Sequence, residues 1–236
     1  KDATPADLDE EIRPNPRPYV IDRLQFKEDY VGYLDRYRYH LHVIDIDTKL
    51  TRQLTFGDFD DSQSSWSPDG RHVAFVSNRT EQPDQNRNTD IWLLDTTKAN
   101  PEPQQLTFSH HQDASPTWSR DGKHLAYTTA ASSDLPIYAI PQLAILDIGS
   151  GETQLVKSLA EVQVYNLVFS QNRSELLAIT ERQGQQQLIR VDLDTHAVKQ
   201  VIGQQDVVRE FDEAADGQIY ALVDRPRYPG EIFTTD

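Results

Sequence analysis

Five places in this chain of 236 residues put nucleophilic, acidic, basic or metal-ligating side chains at spacings that could support chemistry. Gly149-Ser150-Gly151 is the nearest approach to a serine nucleophile on a tight turn. A hydrolase elbow needs Gly-x-Ser-x-Gly, a strained turn that lifts the hydroxyl towards a histidine and an oxyanion hole. That motif does not occur, and with Asp147 before it and Glu152 after it the segment reads as a hairpin loop. No catalytic residue is assigned. His40 and His42 share a strand face by period 2, and His110, His111 and Asp113 sit together in a loop, so each group offers ligands to a metal. Neither brings a third or fourth ligand at a recognisable spacing, and both read as surface or packing residues. Asp58, Asp60 and Asp61 lack the Asp-x-Asp-x-Asp-Gly order of a calcium loop and read as a solvated loop. The last place is the long polar excursion 77–89, which carries Arg79, Glu81, Asp84 and Arg87. No metal and no cofactor is expected.

The elements that must position these residues are strands. Ser67-Pro68-Asp69-Gly70 is a turn: Pro68 presets φ, Asp69 can bond its own backbone, and Gly70 accepts φ > 0. The stretch after it alternates, with Val73, Phe75 and Ser77 on one face and His72, Ala74 and Val76 on the other. Trp66, just before the turn, is expected to pack between neighbouring sheets. A second copy follows at Trp118-Ser119-Arg120-Asp121-Gly122, a third at Phe169-Ser170-Gln171-Asn172, and a fourth at Asp216-Gly217. The turn positions 69, 121, 172 and 216 lie 52, 51 and 44 residues apart, a period that marks a repeat fold.

A second pair of strands recurs with the first. Residues 40–47 lead to Arg52-Gln53-Leu54-Thr55; 90–95 lead to Gln105-Leu106-Thr107; 142–147 lead to 153–156; 187–192 lead to 199–202. Four antiparallel strands per repeat of this length make a propeller blade. The fold expected is therefore all-β: an arc of four-stranded antiparallel blades, part of a propeller of seven or eight. Three nearly complete blades begin near Ser64, Ser115 and Asn166, flanked by the outer half of one blade and the inner half of another. Residues 1–18, with Pro14, Pro16 and Pro18, read as an extended linker or edge segment, and 19–236 as the partial propeller of about four blades. A β-sandwich would not explain a repeated Trp-Ser-x-Asp-Gly.

A formal net charge of −15 opposes binding to nucleic acid or to an anionic membrane. No apolar run reaches the length of a membrane helix. The absence of cysteine excludes disulfides and thiolate chemistry, and with no methionine the chain reads as an excised, processed or incompletely recorded piece. Blades bury their faces only against neighbours, so partner blades are expected in the parent chain or, in a homo-oligomer, in a second molecule.

Trp66-Ser67-Pro68-Asp69-Gly70-Arg71, Phe75-Val76-Ser77-Asn78-Arg79, Thr89-Asp90-Ile91-Trp92-Leu93-Leu94-Asp95 and Gln105-Leu106-Thr107 resemble the propeller of the prolyl oligopeptidase family of serine peptidases. The run Pro18-Tyr19-Val20-Ile21-Asp22-Arg23-Leu24, with Gly32-Tyr33-Leu34 and His40-Leu41-His42-Val43, resembles its acylaminoacyl-peptidase and dipeptidyl-aminopeptidase-like branch. The repeat motif alone is also similar to TolB-type propellers, which are protein-binding scaffolds without peptidase activity. The resemblance implies a C-terminal α/β-hydrolase domain as partner, carrying the whole catalytic triad, and short peptides as substrates. The propeller would gate access and select by size. It further implies a cytoplasmic setting, with the periplasm as alternative, and a contact between Arg79 and a peptide's terminal charge. The loops 56–64 and 108–115 are expected to gather at one end of the channel.

Overall fold

The computed structural model describes residues 18, 20–34, 36–130, 139–171, 174–203 and 206–235. Residues 1–17 of the expected linker and the turn residue Asn172 lie outside the described residues. The chain divides into two compact units, Lys1–Tyr37 and Arg38–Asp236. In the first, β1 (Lys27–Glu28) and β2 (Gly32–Tyr33) form a hairpin. Its reversal uses Tyr30 and Gly32, both at positive φ, and Phe26 stacks on Tyr33 with ring centroids 6.3 Å apart.

The second unit is a series of antiparallel sheets. β3 (His42–Ile44) and β4 (Thr51–Gln53) make a two-stranded sheet. Three four-stranded sheets follow, each in chain order: β5 (Asp61–Trp66), β6 (His72–Ser77), β7 (Asp90–Asp95) and β8 (Gln104–Gln105); β9 (Asp113–Trp118), β10 (His124–Thr129), β11 (Gln142–Asp147) and β12 (Thr153–Leu155); and β13 (Gln163–Phe169), β14 (Glu175–Arg182), β15 (Gln185–Asp192) and β16 (Val198–Ile202). The last sheet holds β17 (Val207–Glu213), β18 (Ile219–Arg225) and β19 (Tyr228–Thr234). The expected all-β arc of four-stranded blades is what the structure has. The final sheet carries one strand more than the repeat pattern promised, because Pro229 and Gly230 disguise β19 as a loop.

Local chemistry explains the hairpins. Gly70 N–H donates to the Ser67 carbonyl at 3.0 Å with Gly70 at φ +68°, and Gly122 repeats this with Ser119 at 3.0 Å and φ +72°. The Ser67 hydroxyl accepts from His72 N–H at 2.9 Å and donates to the Asp69 carboxylate, which in turn accepts from Arg71 N–H at 3.0 Å. Ser119, Asp121, Lys123 and His124 repeat the whole set. Each Ser and Asp therefore satisfies backbone donors that the turn leaves without a ladder partner.

Packing then runs from sheet to sheet. Phe75 and Leu94 of the first complete blade pack with Leu54 on the side of β3 and β4, while Ala74 and Ile91 pack with Leu125, Tyr127, Ala144 and Leu146 of the next blade. Leu143 and Ile145 meet Leu176 and Ala178, and Leu177, Ile179 and Leu188 meet Val208, Ile219 and Val223. The middle strands are thus buried on both faces, and each such side chain contributes about 2 kcal/mol by leaving water. The first strands of successive sheets lie beside one another, β5 by β9 and β9 by β13. Each carries a bulge where the register slips, centred on Gln63, Ser115 and Asn166, all at positive φ. A bulge tightens the local twist, which suits strands converging on one edge of the stack.

One packing expectation fails. Trp118 does pack between sheets, and its indole N–H reaches the Ser65 carbonyl of the preceding blade at 3.2 Å. Trp66, its counterpart, is 50% exposed. The sheet on its preceding side is the two-stranded β3 and β4, with no strand in the position that Ser65 supplies to Trp118.

Candidate functional site

Several of the polar residues singled out by the sequence converge at two places, where the first and second complete blades begin their first strand beside the sheet before. Asp61 opens β5 and Asp113 opens β9, each five residues ahead of its tryptophan. Asp61 N–H donates to the Tyr39 carbonyl at 2.8 Å, and Asp113 N–H to the Thr89 carbonyl at 2.8 Å. The residues after these carbonyls, His40 and Asp90, are therefore equivalent. Thr55 and Thr107 complete the match: their hydroxyls accept from Leu41 N–H and Ile91 N–H, each at 2.9 Å. One backbone frame is built twice.

Its charges differ. At the first junction Asp61 is buried, and one carboxylate oxygen takes Arg79 Nη2 at 2.8 Å while the other lies 3.3 Å from His40 Nδ1. The Arg79 guanidinium also lies 5.0 Å from the Phe59 ring, 5.5 Å from Phe75 and 5.1 Å from Trp92, and its Nε donates to the Ser77 hydroxyl. The Arg79 side chain is 11% exposed. The excursion after it is ordered by its own amides: Asn78 Nδ2 donates to Asn86 Oδ1 at 2.9 Å, and Asn86 Nδ2 to the Gln82 carbonyl at 2.8 Å. Asp58 and Asp60, outside this centre, pair with Arg38 at 2.6 and 3.4 Å. Asp58 and Asp60 are thus exposed, as expected of a solvated loop, whereas Asp61 is buried.

At the second junction Asp90 replaces the histidine, and Ala131 stands 52 residues after Arg79 in the sequence. Asp113 is fully buried and Asp90 nearly so, and among the described residues neither oxygen of Asp113 has a hydrogen-bond partner. The hydroxyls of Thr129, Thr107 and Ser109 favour its ionised form, but burial outweighs them and raises its pKa. Asp90 accepts from Gln105 Nε2 at 3.0 Å and from the Thr107 hydroxyl at 3.4 Å. Burial first, and the charge of Asp113 second, still push it from 3.8 to about 6. Tyr127, buried and in the field of both carboxylates, is pushed up to about 12, chiefly by burial.

The other sequence-singled residues separate. His110 is exposed and Asp113 lies inside β9, so they form no loop site. Ser150 caps the hairpin between β11 and β12, its N–H on Asp147 Oδ1 at 2.7 Å. Among the described residues no group of three or more histidines and carboxylates is arranged to hold a metal. A cleft of about 470 Å³ between the second and third complete blades is lined by His124, Asp147, Glu152 and His196 among others, with His124 3.7 Å from Asp147. The burial of Asp61 and Asp113 escaped the sequence reading. Their common spacing from Trp66 and Trp118 was the available signal.

No family model matches the sequence, and no curated protein is significantly similar to it. Solved structures match the fold. TolB from Acinetobacter baumannii superposes with a TM-score of 0.63 at 19% identity, over 84% of this chain and 46% of that one. A Mycobacterium tuberculosis puromycin-hydrolyzing peptidase gives 0.65 at 15%, over 87% and 34%. An acylaminoacyl peptidase in complex with Z-Gly-Gly-Phe-chloromethyl ketone gives 0.67 at 16%, over 95% and 33%. The chain thus spans under half of the length of each of these three, and at such identities the likeness is one of architecture. The sheets, their order and these neighbours define a β-propeller arc.

Proposed function

We propose that these residues are the non-catalytic propeller portion of a serine exopeptidase of the prolyl oligopeptidase family, of acylaminoacyl or dipeptidyl type. Their role is to gate and size-select peptides for an α/β-hydrolase domain elsewhere in the protein. The observation that carries this reading is the superposition of 95% of the chain on one third of an acylaminoacyl peptidase. The end sheets add to it. Ile44, Ile46 and Leu50 at one end, and Tyr220, Tyr228 and Ile232 at the other, are exposed, as suits part-blades that further blades cover.

Size selection is tested on the full-length protein by comparing kcat/KM for short chromogenic peptides with that for a denatured polypeptide of a few hundred residues. The proposal expects the peptides to be strongly preferred; equal cleavage of both contradicts it. The same reading gives Arg79 a contact with a peptide's charged terminus, made by exchanging Asp61 for a substrate carboxylate. Arg79→Gln should then raise KM for free-carboxylate peptides and leave that for their amides unchanged.

A second reading is a TolB-like protein-binding scaffold, favoured by the 19% identity to the Acinetobacter baumannii protein over 84% of the chain. A full-length protein without peptidase activity that retains a protein ligand through purification would decide for it.

A further inference from the structure

The two equivalent junctions differ in how their buried carboxylate is balanced, and among the described residues only the first shows basic partners for it. Asp61 is compensated by Arg79 and His40. Asp113 holds the same backbone position at equal or deeper burial, with a second carboxylate, Asp90, where the first junction has His40. Burying one unpaired carboxylate is costly, and burying two together compounds the cost. The oxygens of Asp113 are closed off from water and accept no hydrogen bond from the described residues.

We infer that Asp90 and Asp113, closed in by the hydroxyls of Thr107, Ser109 and Thr129, bind a divalent cation of the calcium class, which stands where Arg79 and His40 stand one blade earlier. The donors are all oxygen, which selects a hard cation over zinc or copper. Two carboxylates match a double positive charge. Calcium tolerates irregular oxygen geometry, whereas magnesium demands a near-ideal octahedron and keeps its waters, for which a site this buried is poorly suited. With two carboxylates rather than three or more, the affinity belongs to the weak range, roughly 10⁻⁴ to 10⁻³ M.

The test is calcium titration of the full-length protein after chelator treatment, followed by thermal unfolding and calorimetry, with potassium at matched ionic strength as control. At 10 mM calcium the wild-type Tm should rise by about 3 °C, the shift expected of one millimolar site in a domain of this size. Calorimetry should find one site in this range that Asp113→Asn and Asp90→Asn both abolish. Their far-UV circular dichroism in chelator should match that of the wild type. An unchanged wild-type Tm overturns the inference. So does a rise that both variants retain, which would place calcium on the acidic surface instead. A Tm that responds only to acidification, and not to calcium, also contradicts it and makes the proton the partner of the pair.

Discussion

The first two blade junctions share a frame and differ in what neutralises it. Asp61 and Asp113 start equivalent strands, bond equivalent carbonyls and sit beside equivalent threonines, yet one faces Arg79 and His40 and the other faces Asp90. In a repeat fold the backbone is conserved by ladders and turns that tolerate many side chains, so the polar sites between blades are free to diverge. Such sites therefore differ blade by blade, and the architecture alone does not predict their chemistry.

The comparison is broken most directly at Arg79. Arg79→Met leaves Asp61 buried with only His40 beside it and should lower stability by about 3 kcal/mol, measured by denaturant unfolding. A loss below about 1 kcal/mol would mean that Asp61 does not depend on the guanidinium. The tryptophans give the next largest contrast. Trp118→Ala should cost about 2 kcal/mol and Trp66→Ala under 1, since only the former fills a space between blades. Equal costs would show that Trp66 is covered in the full-length protein. At the second junction, in chelator, Asp113→Asn removes an uncompensated charge and should raise stability by about 1 kcal/mol.

The smallest effect is in the pH dependence. Asp90 has its pKa raised from 3.8 to about 6, so between those values the native state holds a proton that the unfolded chain has released. Its contribution to stability is complete below about pH 4 and is lost as pH rises through about 6. The difference in unfolding free energy between wild type and Asp90→Asn should change across that window and be flat on either side. Asp90→His, which copies His40, should abolish the loss.

Much of the fold was legible because it rests on local rules. The Ser-x-Asp-Gly turns need Gly70 and Gly122 at positive φ, and the strands after them alternate in a pattern that only a sheet satisfies. The site was less legible for physical reasons. β5 reads Asp-Ser-Gln-Ser-Ser-Trp, with no apolar alternation, so Asp61 looked like part of a solvated loop; its partners in the fold are the Tyr39 carbonyl, His40 and Arg79, none of them set by the spacing. Trp66 misled in the other direction, because its environment depends on a neighbouring blade rather than on its own hairpin. Arg79 was singled out as a residue of interest, but the three aromatic rings around it are drawn from separate stretches that only the fold brings together.

The claim that these blades serve a peptidase whose chemistry lies outside them is tested by labelling the full-length protein with a fluorophosphonate and locating the modified residue by mass spectrometry. The account predicts one labelled serine, on a Gly-x-Ser-x-Gly segment beyond these 236 residues. Label on a serine within them, or no label at all, would contradict it.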